Sequence, residues 1–409
     1  MADTLTGSAP DASAPVPEFP MARAAGCPFD PPPALQAQRD EGRLVKVRLW
    51  DGSTPWLVTR YEDQRALLLD PRVSADITSP GYPLQAPNNG KNNISFILMD
   101  DPEHARLRRM VTAPFAVKKV EALRPGVQRI VDDLIDDMLA AGGPLDLVEA
   151  FALPVPSLVI CQLLGVPYAD HDFFQENSKT LIKRDAAMED RMAAHGRLIG
   201  YLDDLMGRKM TEPGDDLLSG LVARVEAGEL TRQDAAQMGV LLLLAGHETT
   251  ANMIALGTLA LLENPDQLAL LRDSDDAGLV ASAVEELLRY LNIVHGGRRR
   301  AALEDIEVAG EVIRAGEGMI MPNDIANRDP DAFPDPDRLD ITRDARRHVA
   351  FGFGVHQCLG QPLARMELQV VYSTLYRRIP TLRLAAEVDS LPFKHDGSIY
   401  GVYSLPVTW

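Results

Sequence analysis

Apolar residues recur at helical spacing through the middle of the chain, from Glu103 to about Tyr290. Three breaks that contain Gly or Pro interrupt the pattern, at 142–144, 165–167 and 212–214, and they predict turns between consecutive helices. The middle of the chain is therefore predicted to be a set of packed α-helices.

Extended segments are predicted near both ends of the chain. The alternating pattern over 44–59 predicts a β-hairpin, and 61–69 predicts a short helix after it. Beyond residue 294, short extended pieces such as 306–308 alternate with turns, and a further helix is predicted at 361–378 before a small β region. The predicted fold class is mainly α with small β-sheets.

The first 26 residues are rich in Ala, Pro and Ser and predict a disordered or loosely draped tail. The rest of the 409-residue chain contains no internal repeat and no linker long enough to separate independent domains. We therefore expect a single domain over residues 27–409.

The formal net charge of −18 argues against a nucleic-acid partner, because the phosphates would be repelled. The longest nearly apolar stretch, 238–246, is too short to span a bilayer, and no apolar signal segment precedes residue 27. The three cysteines are widely separated and odd in number, which favours a reducing compartment. These features predict a cytoplasmic protein without a membrane partner.

Residues 231–263 predict one long helix that begins at Thr231 as N-cap. With a rise of 1.5 Å per residue it would be roughly 50 Å long and could cross the whole molecule. Its middle contains Gly246 and the pair Glu248-Thr249, although Gly and Thr are poor helix formers. Residues that are unfavourable in the middle of a helix are expected at a functional position.

Residues 351–360 place Cys358 and His356 among three glycines, immediately before a helix with Pro362 in its first turn. Glycines let a backbone approach a large planar ligand closely, and free N–H groups with the helix dipole stabilise a thiolate. A buried thiol without function is the alternative for an isolated cysteine. A nucleophilic Cys/His pair is disfavoured, because residues two apart do not face each other on a helix and no hydrolase elbow surrounds them.

This segment resembles the haem-binding loop of the cytochrome P450 family, Phe-x-x-Gly-x-x-x-Cys-x-Gly, which is matched by Phe351, Gly354, Cys358 and Gly360. The resemblance implies the cytochrome P450 fold, with heme b (iron protoporphyrin IX) between the long central helix and the cysteine loop. It implies that Cys358 is the thiolate ligand of the metal and favours O–O cleavage. Phe351, Gly352 and Gly360 would contact the haem.

The middle of the long helix is similar to the oxygen-activation motif of the same family, Ala/Gly-Gly-x-Asp/Glu-Thr, matched by Ala245, Gly246, Glu248 and Thr249. The resemblance implies that Ala245 lies against the haem. Thr249 would hold water by its hydroxyl, and Glu248 would relay protons inward.

Four basic residues, one of them in the cysteine segment, are implied to bind the haem propionates. A His and an Arg one helical turn apart can both reach carboxylates, a use that suits Arg especially. The members of this group are His104, Arg108, Arg300 and His356. For Arg300, the adjacent Arg298 and Arg299 are alternatives one or two residues away.

Glu286 and Arg289 match the family's Glu-x-x-Arg pair, which is part of a buried structural triad. Arg338 is the candidate for the third member, and Glu285 is the less favoured alternative to Glu286. The three residues are expected to support the fold rather than to act in catalysis.

The resemblance covers roughly residues 27–409, and the sequence features are most similar to those of soluble actinomycete members. It implies a monooxygenase that inserts one oxygen atom from O2 into a mostly apolar small molecule, most simply by hydroxylation of a polyketide, sterol-like or foreign compound. Electrons would come ultimately from NAD(P)H through an external ferredoxin and ferredoxin reductase, because the chain contains no dinucleotide or flavin fingerprint. The enzyme is expected to be a monomer.

Basic residues on the cysteine side of the haem would form the docking face for an acidic ferredoxin. They are Lys118, Lys119, Arg346, Arg347 and Arg365.

Two alternative functions remain open at this point. One is a haem-thiolate peroxygenase or dehydratase, against which the Glu248-Thr249 pair speaks, and the other is a haem-binding sensor or carrier without turnover.

Overall fold

The computed structural model describes residues 16–24, 26–85, 95–182, 186–395 and 399–409. Its helices are α1 (Pro33–Glu41), α2 (Tyr61–Leu69), α3 (Glu103–Thr112), α4 (Val117–Ala141), α5 (Pro154–Leu164), α6 (His171–Ile182), α7 (Met188–Lys209), α8 (Leu217–Glu226), α9 (Arg232–Leu262), α10 (Pro265–Arg272), α11 (Ala277–Tyr290), α12 (Asn323–Asn327) and α13 (Gln361–Arg378). The prediction of a mainly α fold is confirmed.

The strands are short and lie outside the helical middle of the chain. They are β1 (Leu44–Lys46), β2 (Trp56–Val58), β3 (Val73–Ser74), β4 (Leu145–Asp146), β5 (Arg298–Ala302), β6 (Ile306–Val308), β7 (Glu311–Ile313), β8 (Gly318–Met321), β9 (Arg383–Leu384) and β10 (Pro406–Thr408). A five-stranded sheet has the order β1-β2-β8-β5-β3, in which only the β2–β8 pair is parallel. A three-stranded sheet β4-β10-β9 and the hairpin β6–β7 complete the described strands.

The predicted turns fall where the hydrophobic pattern is interrupted. Helix α4 ends at Ala141 before the first break, and α5 ends before Gly165, whose φ of +77° is a left-handed conformation that glycine adopts without strain. The hairpin at 44–59 is present as β1–β2, with Leu44 opposite Val58. These local predictions are confirmed. They could be made from the sequence because the breaks combine Gly and Pro with a change of periodicity.

Helix α9 is the central element of the molecule. Thr231 caps its N-terminus, and Asp234 completes a capping box, which satisfies two otherwise free backbone N–H groups. The helix packs against α5, α7, α8 and α13, and most of its residues are buried on all sides. By length and composition it could cross a membrane, but 67% of its most apolar window is buried within the protein, as in the core helix of a soluble protein.

The N-terminal segment is more firmly packed than the predicted tail. Among residues 16–24, the side chains of Phe19 and Met21 are buried in a cluster with Leu35 of α1, Leu57 of β2 and Ile320 of β8. The guanidinium of Arg23 lies 4.1 Å from the ring centre of Tyr400 and donates to the Asp30 carbonyl. Residues 1–15 lie outside the described residues.

The buried triad has a different third member from the one predicted. Glu286 and Arg289 form a fully buried pair with an Nε–Oε2 distance of 2.7 Å, as expected. The second arginine on Glu286 is Arg343, at 3.2 Å, while the side chain of Arg338 is 67% exposed and pairs with Asp340. The choice of Arg338 is wrong because the meander folds back, so that the backbone carbonyl of Arg338, not its side chain, faces Arg289.

Candidate active site

A cavity of about 320 Å³ lies between the middle of α9 and the loop that carries Cys358. Both segments contribute residues to its wall, together with 291–294, the start of α13 and residues before and on α3. Of the predicted site residues, those that line this cavity are Arg108, Ala245, Thr249, Phe351, His356, Cys358 and Gly360. The structure thus brings together residues more than 200 positions apart in the chain.

The cysteine loop is a tight backbone structure. The Cys358 N–H donates to the Phe351 carbonyl at 2.8 Å, which closes the loop. Gly352 and Gly354 have φ values of +77° and +73°, and a Cβ on Gly354 would lie 2.3 Å from the Leu68 carbonyl oxygen. Only glycine therefore permits this loop to pack so closely on α2.

The Cys358 side chain is exposed to the cavity that it lines, while the surrounding protein removes most of the bulk solvent from around its sulfur. Burial raises the pKa of Cys358, while the N–H of Gly360 and the positive charges of Arg298, Arg108 and Arg365 lower it. These N–H and guanidinium groups are the ones that stabilise a thiolate. The arrangement suits a sulfur that acts as a metal ligand.

The opposite wall of the cavity is formed by α9. The Thr249 hydroxyl donates to the Ala245 carbonyl at 2.7 Å, one turn earlier in the helix. Gly246 lies against α5, where a Cβ would approach Ile160 to 3.1 Å, so its small size lets α9 and α5 pack closely. Thr249 and Ala245 both face the cavity, whereas Glu248 is not among the lining residues.

Positive charge collects at one edge of the cavity. The rings of His104 and His356 lie 4.0 Å apart between centroids, and Asp101 accepts a hydrogen bond from His104 Nδ1 at 3.0 Å. His104 Nε2 is buried without a partner. Burial, together with the positive charges of Arg300, His104 and Arg108, lowers the pKa of His356 to about 3.

Three arginines line or adjoin this edge. Arg108 donates to the Gln357 carbonyl at 2.6 Å, Arg298 donates to the Ala350 carbonyl at 3.1 Å, and Arg300 donates to the Arg299 carbonyl at 2.7 Å. Burial lowers the pKa of all three, that of Arg298 to about 10. Among the described residues, their hydrogen-bond partners are backbone carbonyls and the Asn323 side-chain amide rather than carboxylates, so the edge is suited to binding an anion.

Arg298, rather than Arg300, contributes to the cavity wall itself. The two lie on the same face of β5, since side chains alternate along a strand. Arg300 is close enough to His356 to lower its pKa, and therefore lies behind the lining at the same edge. Gly352 packs against Arg298, where a Cβ would come within 2.9 Å of the Arg298 Nε.

These observations fit a haem. A narrow cavity with a thiol on one wall and a helix on the other suits a planar ring with an iron that takes a thiolate. The cationic edge suits the two carboxylates of iron protoporphyrin IX, and the orphaned His104 Nε2 is a hydrogen-bonding atom for one of them. The residues that would hold the group are Cys358, His104, Arg108, His356 and Arg298 or Arg300.

Sequence reasoning missed two buried groups near the cavity. Lys394 is 7% exposed and its Nζ lies 3.7 Å from Glu248 Oε1. Glu367, at the base of the cavity on α13, is fully enclosed, and burial raises its pKa to about 8. A lysine near the chain end and a glutamate in a helix give no pattern that identifies a buried partner, since only the tertiary structure places them here.

Apolar side chains form part of the cavity wall. Phe96, Leu241, Ile293 and Val294 line the cavity. The resemblance also implies a substrate wall at 79–96, of which residues 86–94 lie outside the described residues, as do Lys183 and Arg184, two candidates for binding a substrate carboxylate.

Comparison with known proteins supports this description. A cytochrome P450 family model matches residues 208–379. Cytochrome P450 GfsF of Streptomyces halstedii is 58% identical over the full length of both chains, and the crystal structure of GfsF has a TM-score of 0.94, with 59% identity, covering 96% of this chain and 100% of that chain.

Two more relatives carry names that describe a reaction. Vitamin D3 dihydroxylase of Streptomyces griseolus is 49% identical and covers 96% of this chain and 97% of its own. The structure of the mycinamicin VIII C21 methyl hydroxylase MycCI of Micromonospora griseorubida, bound to mycinamicin VIII, has a TM-score of 0.88 and 44% identity, covering 96% of this chain and 100% of that chain. With identity this high over essentially the whole chain and a cysteine loop facing an acid–alcohol helix, the protein belongs to the cytochrome P450 family of monooxygenases.

Proposed function

We infer that this monooxygenase hydroxylates a neutral, mostly apolar small molecule of polyketide or sterol-like type. The observation that carries the proposal is that the Cys358 thiol and the Thr249 side chain open into one cavity whose α9 wall is apolar apart from Thr249 and Thr250. The named relatives that hydroxylate a macrolide or a vitamin D compound support the substrate class. The charged groups of the lining lie near the cysteine loop, so a neutral ligand suits the other wall.

The bound haem would supply the redox chemistry, in which R–H, O2, two electrons and two protons give R–OH and water. Cys358 would hold the iron through its sulfur. The Thr249 hydroxyl would hold a water molecule over the cavity, and its bond to the Ala245 carbonyl fixes the direction of its proton. Glu248 would exchange protons with that water from outside the lining.

The cationic edge would bind and orient the haem. His104 and His356 would donate through their ring nitrogens, and Asp101 fixes the ring of His104. Arg108 and Arg298 also hold the cysteine loop through its carbonyl groups, at Gln357 and Ala350. The same side chains would therefore set the position of both the haem and the loop.

Electrons would come from an acidic ferredoxin, and ultimately from NAD(P)H through a ferredoxin reductase. Near the outer surface of the cysteine loop, Leu69 is 61% and Val355 is 60% exposed, and Arg347 is exposed as well. An apolar centre with a basic rim suits a transient electron-transfer complex. Of the predicted basic face, Lys119, Arg346 and Arg365 pair with Asp215, Asp344 and Glu285, so the positive field there is weaker than expected.

We also infer a cytoplasmic monomer. The cysteines Cys27, Cys161 and Cys358 are free, as suits a reducing compartment. The net charge of −18 favours a soluble, separate chain.

The proposal is tested with the haem-loaded enzyme in two steps. Macrolides, sterols and vitamin D3 are first screened for compounds that shift the Soret absorbance. NADPH consumption and product formation are then measured with ferredoxin and ferredoxin reductase. We expect a hydroxylated product that depends on NADPH and O2. Turnover with peroxide alone would favour a peroxygenase, and ligand binding without any turnover would favour a sensor, so either result contradicts the proposal.

A further inference from the structure

Glu248 forms an ion pair that the proton-relay role does not require. Lys394 Nζ lies 3.7 Å from Glu248 Oε1, and the two side chains are 9% and 18% exposed. Thr249, the next residue, lines the cavity, but Glu248 does not. Successive residues of a helix point about 100° apart, so the acid and the alcohol face different surroundings. In this structure the Glu248 carboxylate is therefore directed toward Lys394 rather than toward the cavity.

Lys394 belongs to a pair of antiparallel segments, residues 392–395 and 399–403, which we call the C-terminal hairpin. The Lys394 N–H donates to the Gly401 carbonyl at 2.8 Å. The hairpin presses directly on α9, since a Cβ on Gly401 would lie only 1.7 Å from Asn252 Oδ1. Asn252 in turn donates to the Glu248 carbonyl at 2.8 Å.

The other strand of the C-terminal hairpin is attached to the cavity wall. The Tyr400 N–H donates to the Ile293 carbonyl at 2.7 Å, and Ile399 pairs with Val294. Ile293 and Val294 both line the cavity. The hairpin is therefore anchored on two sides, which fixes the base of the Lys394 side chain relative to Glu248.

The electrostatic environment of Glu248 makes this lysine its decisive partner. Burial raises the pKa of Glu248, and the charge of Lys394 opposes that rise. Burial lowers the pKa of Lys394, and Glu248 raises it again, so each residue favours the charged form of the other.

The other titratable groups near this part of α9 do not supply a positive charge in place of Lys394. Cys161 on α5 has a pKa raised to about 12 by burial, and burial also raises the pKa of Tyr372 and of Glu367 on α13, the latter to about 8. All three are therefore mainly uncharged at pH 7. His247 on α9 itself and Tyr403, 5.4 Å from Lys394 Nζ, are the remaining neighbours.

We propose that Lys394 is a positioning residue that holds the Glu248 carboxylate at the C-terminal hairpin, so that opening of this ion pair controls when the acid can pass a proton toward Thr249. The proposal rests on the proton-handling role proposed above for Glu248. The proton that Glu248 delivers is replaced from solvent, and the carboxylate then returns to Lys394.

The test uses infrared difference titration of the haem-loaded enzyme, in which the protonated carboxyl band of Glu248 is assigned by its loss in E248Q. The variants are K394M and K394Q, which remove the charge, and K394R, which keeps it. K209M is the matched control, because Lys209 forms a similarly buried pair with Asp216, at 2.6 Å, away from the cavity.

We expect the Glu248 carboxyl in K394M and K394Q to stay protonated to a pH at least about one unit higher, because a charge 3.7 Å away has been removed. K394R and K209M should titrate as the unmodified enzyme does. A crystal structure of K394M should show the Glu248 carboxyl turned from the hairpin.

An unchanged titration in both uncharged variants, or K394R behaving like K394M, would overturn the proposal. The role of Glu248 is tested separately, with the compound selected by the absorbance screen. If E248Q forms product at the normal rate, the proton-relay role fails, whatever the result for Lys394.

Discussion

Arg298 and Arg300 illustrate how far a single residue can be assigned from sequence. The resemblance pointed to Arg300, with its neighbours as alternatives, and the alternation of strand β5 puts residues 298 and 300 on one face. Both lie at the cationic edge, but Arg298 is in the wall and bonds to the cysteine loop. The sequence could restrict the choice to this face but not decide which guanidinium reaches the cavity, because that depends on the position of the loop.

At the same scale, Thr249→Ala removes the hydroxyl that faces the cavity and leaves the helix intact, since Ala is the better helix former. We expect product formation to fall by about 10²-fold while NADPH consumption continues, because positioned proton transfer contributes on this order. The measurement is the ratio of product formed to NADPH consumed.

Thr258→Ala is the control for this substitution. Thr258 lies on the same helix and is fully buried, but it does not line the cavity. It should change stability without changing the ratio of product to NADPH. An unaltered ratio in T249A would remove Thr249 from the proton path.

At the scale of elements, the meander between α12 and α13 is fixed to α11 by buried charge. Glu286 accepts from Arg289 and Arg343 and also from the Asp340 N–H at 3.0 Å. This network joins the helix to the segment that leads into the cysteine loop. The sequence identified the helix pair by its spacing of three residues, but the third member lies 57 residues away in an irregular segment, where no periodicity indicates direction.

Arg343→Met should destabilise the protein by about 3 kcal/mol, because it leaves the buried Glu286 with an incomplete set of partners. Arg338→Met, at the residue first expected, should cost less than about 1 kcal/mol, since its side chain is mostly exposed. Denaturant unfolding of the haem-loaded protein measures both. Equal losses in the two variants would contradict the assignment.

At the scale of the whole molecule, Glu285 connects three parts of the site's framework. On α11 it accepts from Arg365 of α13 at 2.6 Å and from His348 Nε2 of the cysteine segment at 3.1 Å. The Ala350 N–H donates to His348 Nδ1, so the ring is neutral with its proton on Nε2. Burial alone would raise the pKa of Glu285, but the bonds from His348 and Arg365 outweigh it and bring the pKa to about 2.

A carboxylate with a lowered pKa stabilises the folded state above the pKa of the unfolded chain, about 4.3. That stability is lost as the pH falls from about 4.5 toward 2. We expect Glu285→Gln to lower stability at pH 7 by on the order of 3 kcal/mol and to flatten the acid side of the stability curve. Thermal unfolding across a pH series checks this.

The control is Glu121→Gln on α4, whose pair with Arg124 is largely exposed. It should change stability by less than about 1 kcal/mol at every pH. If E285Q and the unmodified enzyme lose stability in parallel as the pH falls, Glu285 is not the source of the acid-sensitive stability.

The sequence by itself determined the helical class, the turns, the long central helix with its cap, the cysteine loop and the acid–alcohol pair. These features are local: they depend on periodicity, on Gly and Pro at particular positions, and on residue types at fixed short spacing. The tertiary structure decided what meets across the chain, including Arg298 in the cavity wall, Arg343 on Glu286, Lys394 on Glu248 and the packing of residues 16–24. Burial and ion pairing depend on the packing of distant elements, and for that reason no short-range pattern could reveal them.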